Sequence, residues 1–281
     1  MSKLDLHAMI DLAEFAPPVW DFLLLLEDIV ITTQEVIMPQ DEHFKADTPF
    51  KQLLVSSINR DITTMTAIYI LLRCEFLHQA AAHVRLFCES LISLRYIAQD
   101  VSVRVPQFLQ YADVEGYEVA EIALKWEEER AQPVHVERVR AMLSRLKPAY
   151  DRAKPLFVTK TRKGERPFIN WCNTTIKGQA ERCGPRVSRL YELVYSQLSA
   201  YVHGSAWSLR RQLAYSRKHY DARVVLNDIA TIVRTTLVVW EEWAKFCDEQ
   251  LGWSLSARTP GLATTLDRLD AKHFSREAKP L

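Results

Sequence analysis

Glycine is scarce in this chain, with seven in 281 residues. Glycine is the main tool for turns that need positive φ, so its scarcity argues against a many-stranded protein and for long helices. Charge of one sign is also lacking. The formal net charge is +1, which by itself points to neither a nucleic acid nor a membrane surface. The five cysteines, Cys74, Cys88, Cys172, Cys183 and Cys247, form no C-x-x-C and are odd in number. That argues against a disulfide framework and a structural zinc, and it suits a reduced, cytoplasmic setting. The most apolar run, "VWDFLLLLEDIVI", carries Asp21, Glu27 and Asp28. It is too short and too charged to cross a bilayer, which takes about 20 apolar residues. The opening "MSKLDLHAMIDLAEF" has no basic segment followed by an apolar one, so it reads as no secretory signal. No internal repeat or low-complexity block is present.

What the chain has is apolar material at helical spacing. Hydrophobic residues make up 48% and charged residues 25%, the balance of an ordinary globular protein. Residues 4–38 read as one or two helices interrupted at Pro17-Pro18, with Phe22, Leu25, Leu26, Ile29 and Val30 on the helical period. Pro39 and "QDEHFKADTP" read as a linker. From Pro49 to Gln99 the pattern is one long helix, continuous or bent near Arg60-Asp61, and Val101–Pro106 reads as a break. Residues 107–131 and 134–154 follow as two more helices. Next comes a loop or short hairpin turning at Gly164, then a short helix ending at Gly184. Pro185 opens another helix. The last long one covers about 221–250, with Val225, Ile229, Ile232, Val233, Leu237 and Trp240 inward. The expected fold is therefore all-α. It is a single helical bundle over 1–253 with long antiparallel helices, an irregular segment near 155–185, and a polar tail over 254–281.

Charge is unevenly spread within that frame. The 107–131 helix holds Asp113, Glu115, Glu118, Glu121, Glu127, Glu128 and Glu129 against Lys125 and, at its end, Arg130. Between Arg138 and Arg166 ten Lys/Arg stand against Asp151 and Glu165. One reading folds the two helices into an antiparallel hairpin with opposite charges facing. The other offers a basic face, with Lys160, Arg162, Lys163 and Arg166 on a loop, to nucleic acid phosphates. Trp240, Trp243 and Phe246 are either core or the seam of a homodimer.

Two polar rows stand out. At about 100° per residue, Glu192, Ser196, Ser199 and His203 share one helix face beside Tyr195. The opposite face is Leu190, Leu193, Val194, Leu198 and Ala200-Tyr201. On the 49–99 pattern, His78, Arg85 and Glu89 share a face amid Ala81, Ala82, Leu86, Phe87 and Leu91. Arg85 and Glu89 are costly to bury unpaired; at i and i+4 they can meet each other, or they find partners on another helix. Placing His203 against Glu89 satisfies both rows. Glu89 then orients His203 as a general acid or base, Arg85 binds a phosphate or carboxylate, and Ser199 is the candidate nucleophile. The same network also serves as a structural lock on helix register.

"HVRLFCESLISLRYIA" (His83–Ala98) and "AERCGPRVSRLYELVYSQLSAYVHGSAWS" (Ala180–Ser208) resemble a bacterial family of uncharacterised helical proteins. Its hallmarks are an R-x-x-x-E helix, matched by Arg85 and Glu89, and a Y-x-x-x-S-x-x-V-H-G/P-S element. Tyr195, Ser199, Val202, His203, Gly204 and Ser205 match the second. "FLQYADVEGYEVAEI" (Phe108–Ile122) is similar to the segment between them. That family in turn looks distantly like the HEPN superfamily (higher eukaryotes and prokaryotes nucleotide-binding). Those are helical bundles, often dimeric, and many are ribonucleases of toxin–antitoxin, abortive-infection and CRISPR systems. Their catalytic Arg, four to six residues before a His, has no counterpart ahead of His203. The R-x-x-x-x-H strings here are Arg73–His78, Arg130–His135 and Arg268–His273.

The resemblance implies a protein acting on RNA or a nucleotide in stress or phage defence. As a ribonuclease it needs no metal or other cofactor. His203 moves the 2′-OH or leaving-group proton, Glu89 supports it, and Arg85 offsets charge on phosphorus. Tyr195, Tyr201, Trp207 and His78 line the substrate, with Tyr201 or Trp207 stacking unpaired bases. The competing expectations are a non-catalytic interaction or regulatory module and a small-molecule enzyme in the same cleft. A metal carboxylate bundle is disfavoured, because the E-x-x-H spacing occurs once, at Glu75 and His78.

Overall fold

The computed structural model describes residues 17–41, 47–130, 133–162, 164–202, 222–259 and 261–274. The chain divides into two compact units, one of residues 1–95 and 184–281 and one of residues 96–183.

The first unit is all-α. Its helices are α1 (Pro17–Asp41), α2 (Pro49–Arg73), most of α3 (Leu77–Ala98), α7 (Pro185–Leu190), α8 (Gln197–Val202), α9 (Ala222–Leu251) and α10 (Leu262–Phe274). Its core follows from the spacing of apolar residues. On α1, Phe22, Leu23, Leu26, Ile29, Val30 and Ile37 are buried, and on α2 Leu54, Ile58, Met65, Ile68 and Leu72 are. Both are stripes at i, i+3, i+4 and i+7, as one buried face requires. Helix α9 is apolar over a wider arc and packs against α1, burying Val225, Ile229, Ile232, Val233, Leu237, Trp240, Trp243 and Phe246. The two tryptophans and Phe246 therefore belong to the core rather than to a subunit seam. Each indole N–H finds a buried acceptor, Thr33 Oγ1 at 2.9 Å for Trp240 and Asp61 Oδ2 at 3.0 Å for Trp243, as buried indoles usually do.

Helix α2 begins at Pro49 behind Thr48, whose hydroxyl accepts from Lys51 N–H at 3.2 Å. The expected long helix is two helices, and the break is at Cys74–Phe76 rather than at Arg60-Asp61. Glu75 is left-handed, with φ of 59°. Phe76 N–H donates to Leu71 C=O at 2.8 Å and Glu75 N–H to Leu72 C=O at 3.1 Å. This is a Schellman close built on glutamate where glycine is usual.

The second unit holds α4 (Val101–Glu129), α5 (Pro133–Ala153), strands β1 (Val158–Thr161) and β2 (Gly164–Pro167), and α6 (Ile176–Arg182). Helix α4 starts earlier than the sequence suggested. Asp100 caps it, accepting from Val103 N–H at 3.3 Å, and the helix continues through Pro106. Pro106 lies in the second turn, where it can give no N–H to the i−4 carbonyl and its ring crowds that carbonyl, a cost the helix carries. Helix α5 folds back along α4, and their opposite charges meet. Arg140 pairs with Glu128 at 2.9 Å, His135 Nδ1 approaches Glu127 at 3.5 Å, and Lys154 pairs with Glu118. The rings of Tyr117 and Tyr150 stack 4.1 Å apart. The irregular segment contains an antiparallel hairpin, Val158↔Pro167 to Thr161↔Gly164, with Gly164 at φ of 115°. Beneath it lies a small cluster of Val114, Ala153 and Phe157, with Tyr111, Tyr150 and Phe168 against it. No helix among the described residues is long and apolar enough to cross a membrane.

Candidate functional site

Helix α3 buries Ala80, Ala81, Val84, Phe87, Cys88, Leu91 and Ile92. Arg85 and Glu89 lie at the margin of that face, both half-buried. The helix that meets Arg85 starts at Pro185, where proline's missing N–H costs nothing. It runs to Val202, but it is not a uniform α-helix. Tyr191–Ser196 form a π-helical turn, which accommodates one extra residue and is a recurrent feature of functional sites.

Tyr195 stands on that wide turn. Arg85 Nη2 donates to its hydroxyl at 2.7 Å, and the guanidinium carbon lies 4.6 Å from the ring centroid. The Tyr191 ring stacks on Tyr195 at 5.0 Å, 22° from parallel. Ser199 Oγ donates to Tyr195 C=O at 2.8 Å. Arg85 Nε is buried with no hydrogen-bond partner among the described residues. Arg85 and Tyr195, 110 residues apart in sequence, are thus joined by one guanidinium–phenol contact.

The electrostatics follow from burial. Desolvation raises the Tyr195 hydroxyl above the usual tyrosine range, the Arg85 hydrogen bond opposes it, and the charge of Glu89 adds to it. The phenol therefore stays protonated at neutral pH. The Cys88 thiol, also near the Tyr195 backbone, is pushed up to about 12 by burial, so it is no thiolate nucleophile.

The expected residues divide as follows. Arg85, Tyr195 and Ser199 come together. Arg85 does not pair with Glu89: its guanidinium turns to the phenol, and Glu89 has no ion pair among the described residues, acting on Tyr195 through its charge alone. His78, half-buried in the first turn of α3, stands seven residues and about 10 Å along the axis from Arg85. His203 and Trp207 lie outside the described residues, as does the side chain of Tyr201 on α8. Glu192 and Ser196, expected to line a crevice, are exposed, and so is Leu193, expected inward. Glu192 and Ser196 stand opposite the buried stripe Val187, Leu190, Val194 and Leu198, so their face is the ordinary solvent side of a half-buried helix. Tyr191 was missed, although an i, i+4 pair of tyrosines is a readable signal.

Of the Arg–His strings, Arg73 and His78 fall on either side of the Glu75 turn. Arg73 donates to Tyr69 OH at 3.0 Å. His135 approaches Glu127, and His273 Nε2 lies 2.7 Å from Asp21. Among the described residues no group of three His, Cys, Asp or Glu is placed to hold a metal ion. The described cluster offers a guanidinium and a protonated phenol, which suit an anion or a polar edge.

No curated protein and no solved structure matches the chain. The model of a family of unknown function, DUF5677, matches residues 52–219. That span takes in most of α2, α3, the whole second unit, and the helix that carries Tyr195 and Ser199. Covering well over half of the 281 residues and both elements joined at Arg85, it shows that the chain belongs to the DUF5677 family.

Proposed function

We propose that this chain is an HEPN-like, RNA- or nucleotide-acting protein of bacterial defence or stress, and in its finer form a metal-independent ribonuclease. The observation that supports this most is the Arg85–Tyr195 contact. It sets a cation beside two stacked aromatic rings, a pairing suited to a phosphate next to an unpaired base. In the ribonuclease form the 2′-oxygen attacks phosphorus and the 5′-oxygen leaves. His203 moves the proton, with Glu89 supporting it, and Arg85 offsets the extra charge on the phosphoryl oxygens. The products are a 2′,3′-cyclic phosphate and a 5′-hydroxyl.

A second reading draws on the same geometry. Arg85 Nη2 and Ser199 Oγ are both engaged by Tyr195, which suits an interlock fixing helix register in a non-catalytic interaction or regulatory module. The test is cleavage of single-stranded RNA and its 2′-deoxy analogue in chelator, beside thermal melting. The ribonuclease reading expects the parent to cut RNA but not the deoxy strand. It expects His203→Ala to abolish cutting at an unchanged melting temperature. A parent that cuts neither strand, with variants at Arg85 and His203 that melt well below it, would establish the interlock instead.

A further inference from the structure

The cations of α5 and the turn after it form two rows at heptad spacing. Arg140, Lys147 and Lys154 make one row, and each has a carboxylate. Arg140 bonds Glu128 and Glu137, both at 2.9 Å, Lys147 bonds Asp151 at 2.9 Å, and Lys154 bonds Glu118. Arg138, Arg145 and Arg152 make the other row. All three are exposed, and none has an ion pair or hydrogen bond among the described residues. Seven residues fall about 20° short of two helical turns, so these three guanidiniums keep to one side of the helix. They are spaced by about 10 Å and span about 21 Å.

The surroundings of the unpaired row narrow what it fits. Ala141 and Pro148, both exposed, are its neighbours on that side. The exposed Val134 and Leu156 stand at its two ends; both are aliphatic, not the aromatic anchors on which protein interfaces centre. A phosphodiester backbone needs none: a guanidinium fork takes two of its oxygens, and affinity comes from neutralised charge. From Arg152 the chain leads into the β1–β2 hairpin, where Lys160, Arg162 and Arg166 are exposed as well. We propose that Arg138, Arg145 and Arg152 form a track for the phosphate backbone of RNA, with one arginine for about three stacked nucleotides at roughly 3.4 Å of rise each. The track lies on α5 alone and goes beyond the Arg85 site.

The test is equilibrium binding of the full chain to a labelled 20-nucleotide oligouridylate, in chelator, from 50 to 200 mM NaCl. Each arginine on a single-stranded backbone contributes about 0.7 to the slope of log affinity against log salt. The triple variant R138Q/R145Q/R152Q should therefore show a slope smaller by about 2, so that the parent's advantage shrinks about twentyfold over that range. Arg145→Gln alone should lower the slope by about 0.7. Replacing all three by lysine should keep it, since the charge is kept. A parent that does not bind at 50 mM, a triple variant with the parent's slope, or polyglutamate competing as well as RNA per unit charge would each overturn the assignment. A parent that binds RNA without cutting it sinks the ribonuclease reading and leaves the track in place.

Discussion

Around α9 the chain buries whole aromatic rings, Trp240, Trp243, Phe246 and their neighbours Phe22 and Phe87. Along α4 and α5 it buries Val105, Val114, Ala120, Val136 and Ala153, with Phe157 just beyond. Two helices lying side by side cannot surround each other's side chains, so Val119, Ile122 and Trp126 stay in water, the last at 62% exposure. In that hairpin ion pairs and ring stacks take up part of the role that packing has in the first unit. Exposed ion pairs contribute at most about 1 kcal/mol each, whereas a buried aromatic ring contributes several. The first unit is thus defined by shape and the second by charge.

The largest test of that contrast is Trp243→Ala. It removes a ring with no exposure, its edge contact with Phe87 at 5.9 Å and its bond to Asp61. A loss of about 3–5 kcal/mol is expected, read as a lower urea midpoint. A loss below 1 kcal/mol would break the comparison.

Asp61 gives the next effect. Burial pushes its carboxyl up to about 7, while Ser90, Arg60 and Trp243 pull the other way. In the unfolded chain the same group titrates near its ordinary value of about 3.9. Between those two values the folded protein holds the proton more often than the unfolded one, so stability falls as pH rises through that window. At roughly 1.4 kcal/mol per pH unit the fall is at most about 4 kcal/mol. Asp61→Asn keeps an oxygen for the Trp243 indole and carries no charge. It should flatten the decline between pH 4 and 7 and unfold later than the parent at pH 8. Parallel stability–pH curves for the two proteins would count against this account.

The smallest expected effect is in the hairpin. Glu118→Gln removes the partner of Lys154, two side chains 44% and 34% exposed. The change should be below about 1 kcal/mol and should shrink further in 0.5 M salt. A loss as large as that of Trp243→Ala would erase the distinction between the two units.

Much of the fold was legible because apolar periodicity survives in every long helix, and because Pro49 and Pro185 open helices where the sequence placed a start. The Glu75 turn was not legible. A left-handed glutamate costs about 1–2 kcal/mol and carries no composition signal, unlike the glycine usual there. Val101–Pro106 was read as a break, yet α4 runs through Pro106 in its second turn. At the candidate site the pattern brought Arg85, Tyr195 and Ser199 into consideration together. It could not say that Arg85 would choose a phenol over Glu89, since both lie within reach of a long side chain. The unpaired arginine row was hidden for a related reason. Total charge on α5 is visible in sequence, but which cations find a carboxylate depends on how the facing helix is set.

The wide turn at Tyr191–Ser196 makes the spacing of this helix a matter of chain length as well as residue type. The turns on either side of it are ordinary, so shortening the stretch by one residue would leave a smooth rod. Residues before the stretch and those after it could no longer both keep their present bearings, which would differ by about a quarter of a revolution. The tyrosine that reaches across to the other helix and the serine one turn later depend on a surplus residue, and no substitution elsewhere in the helix supplies it.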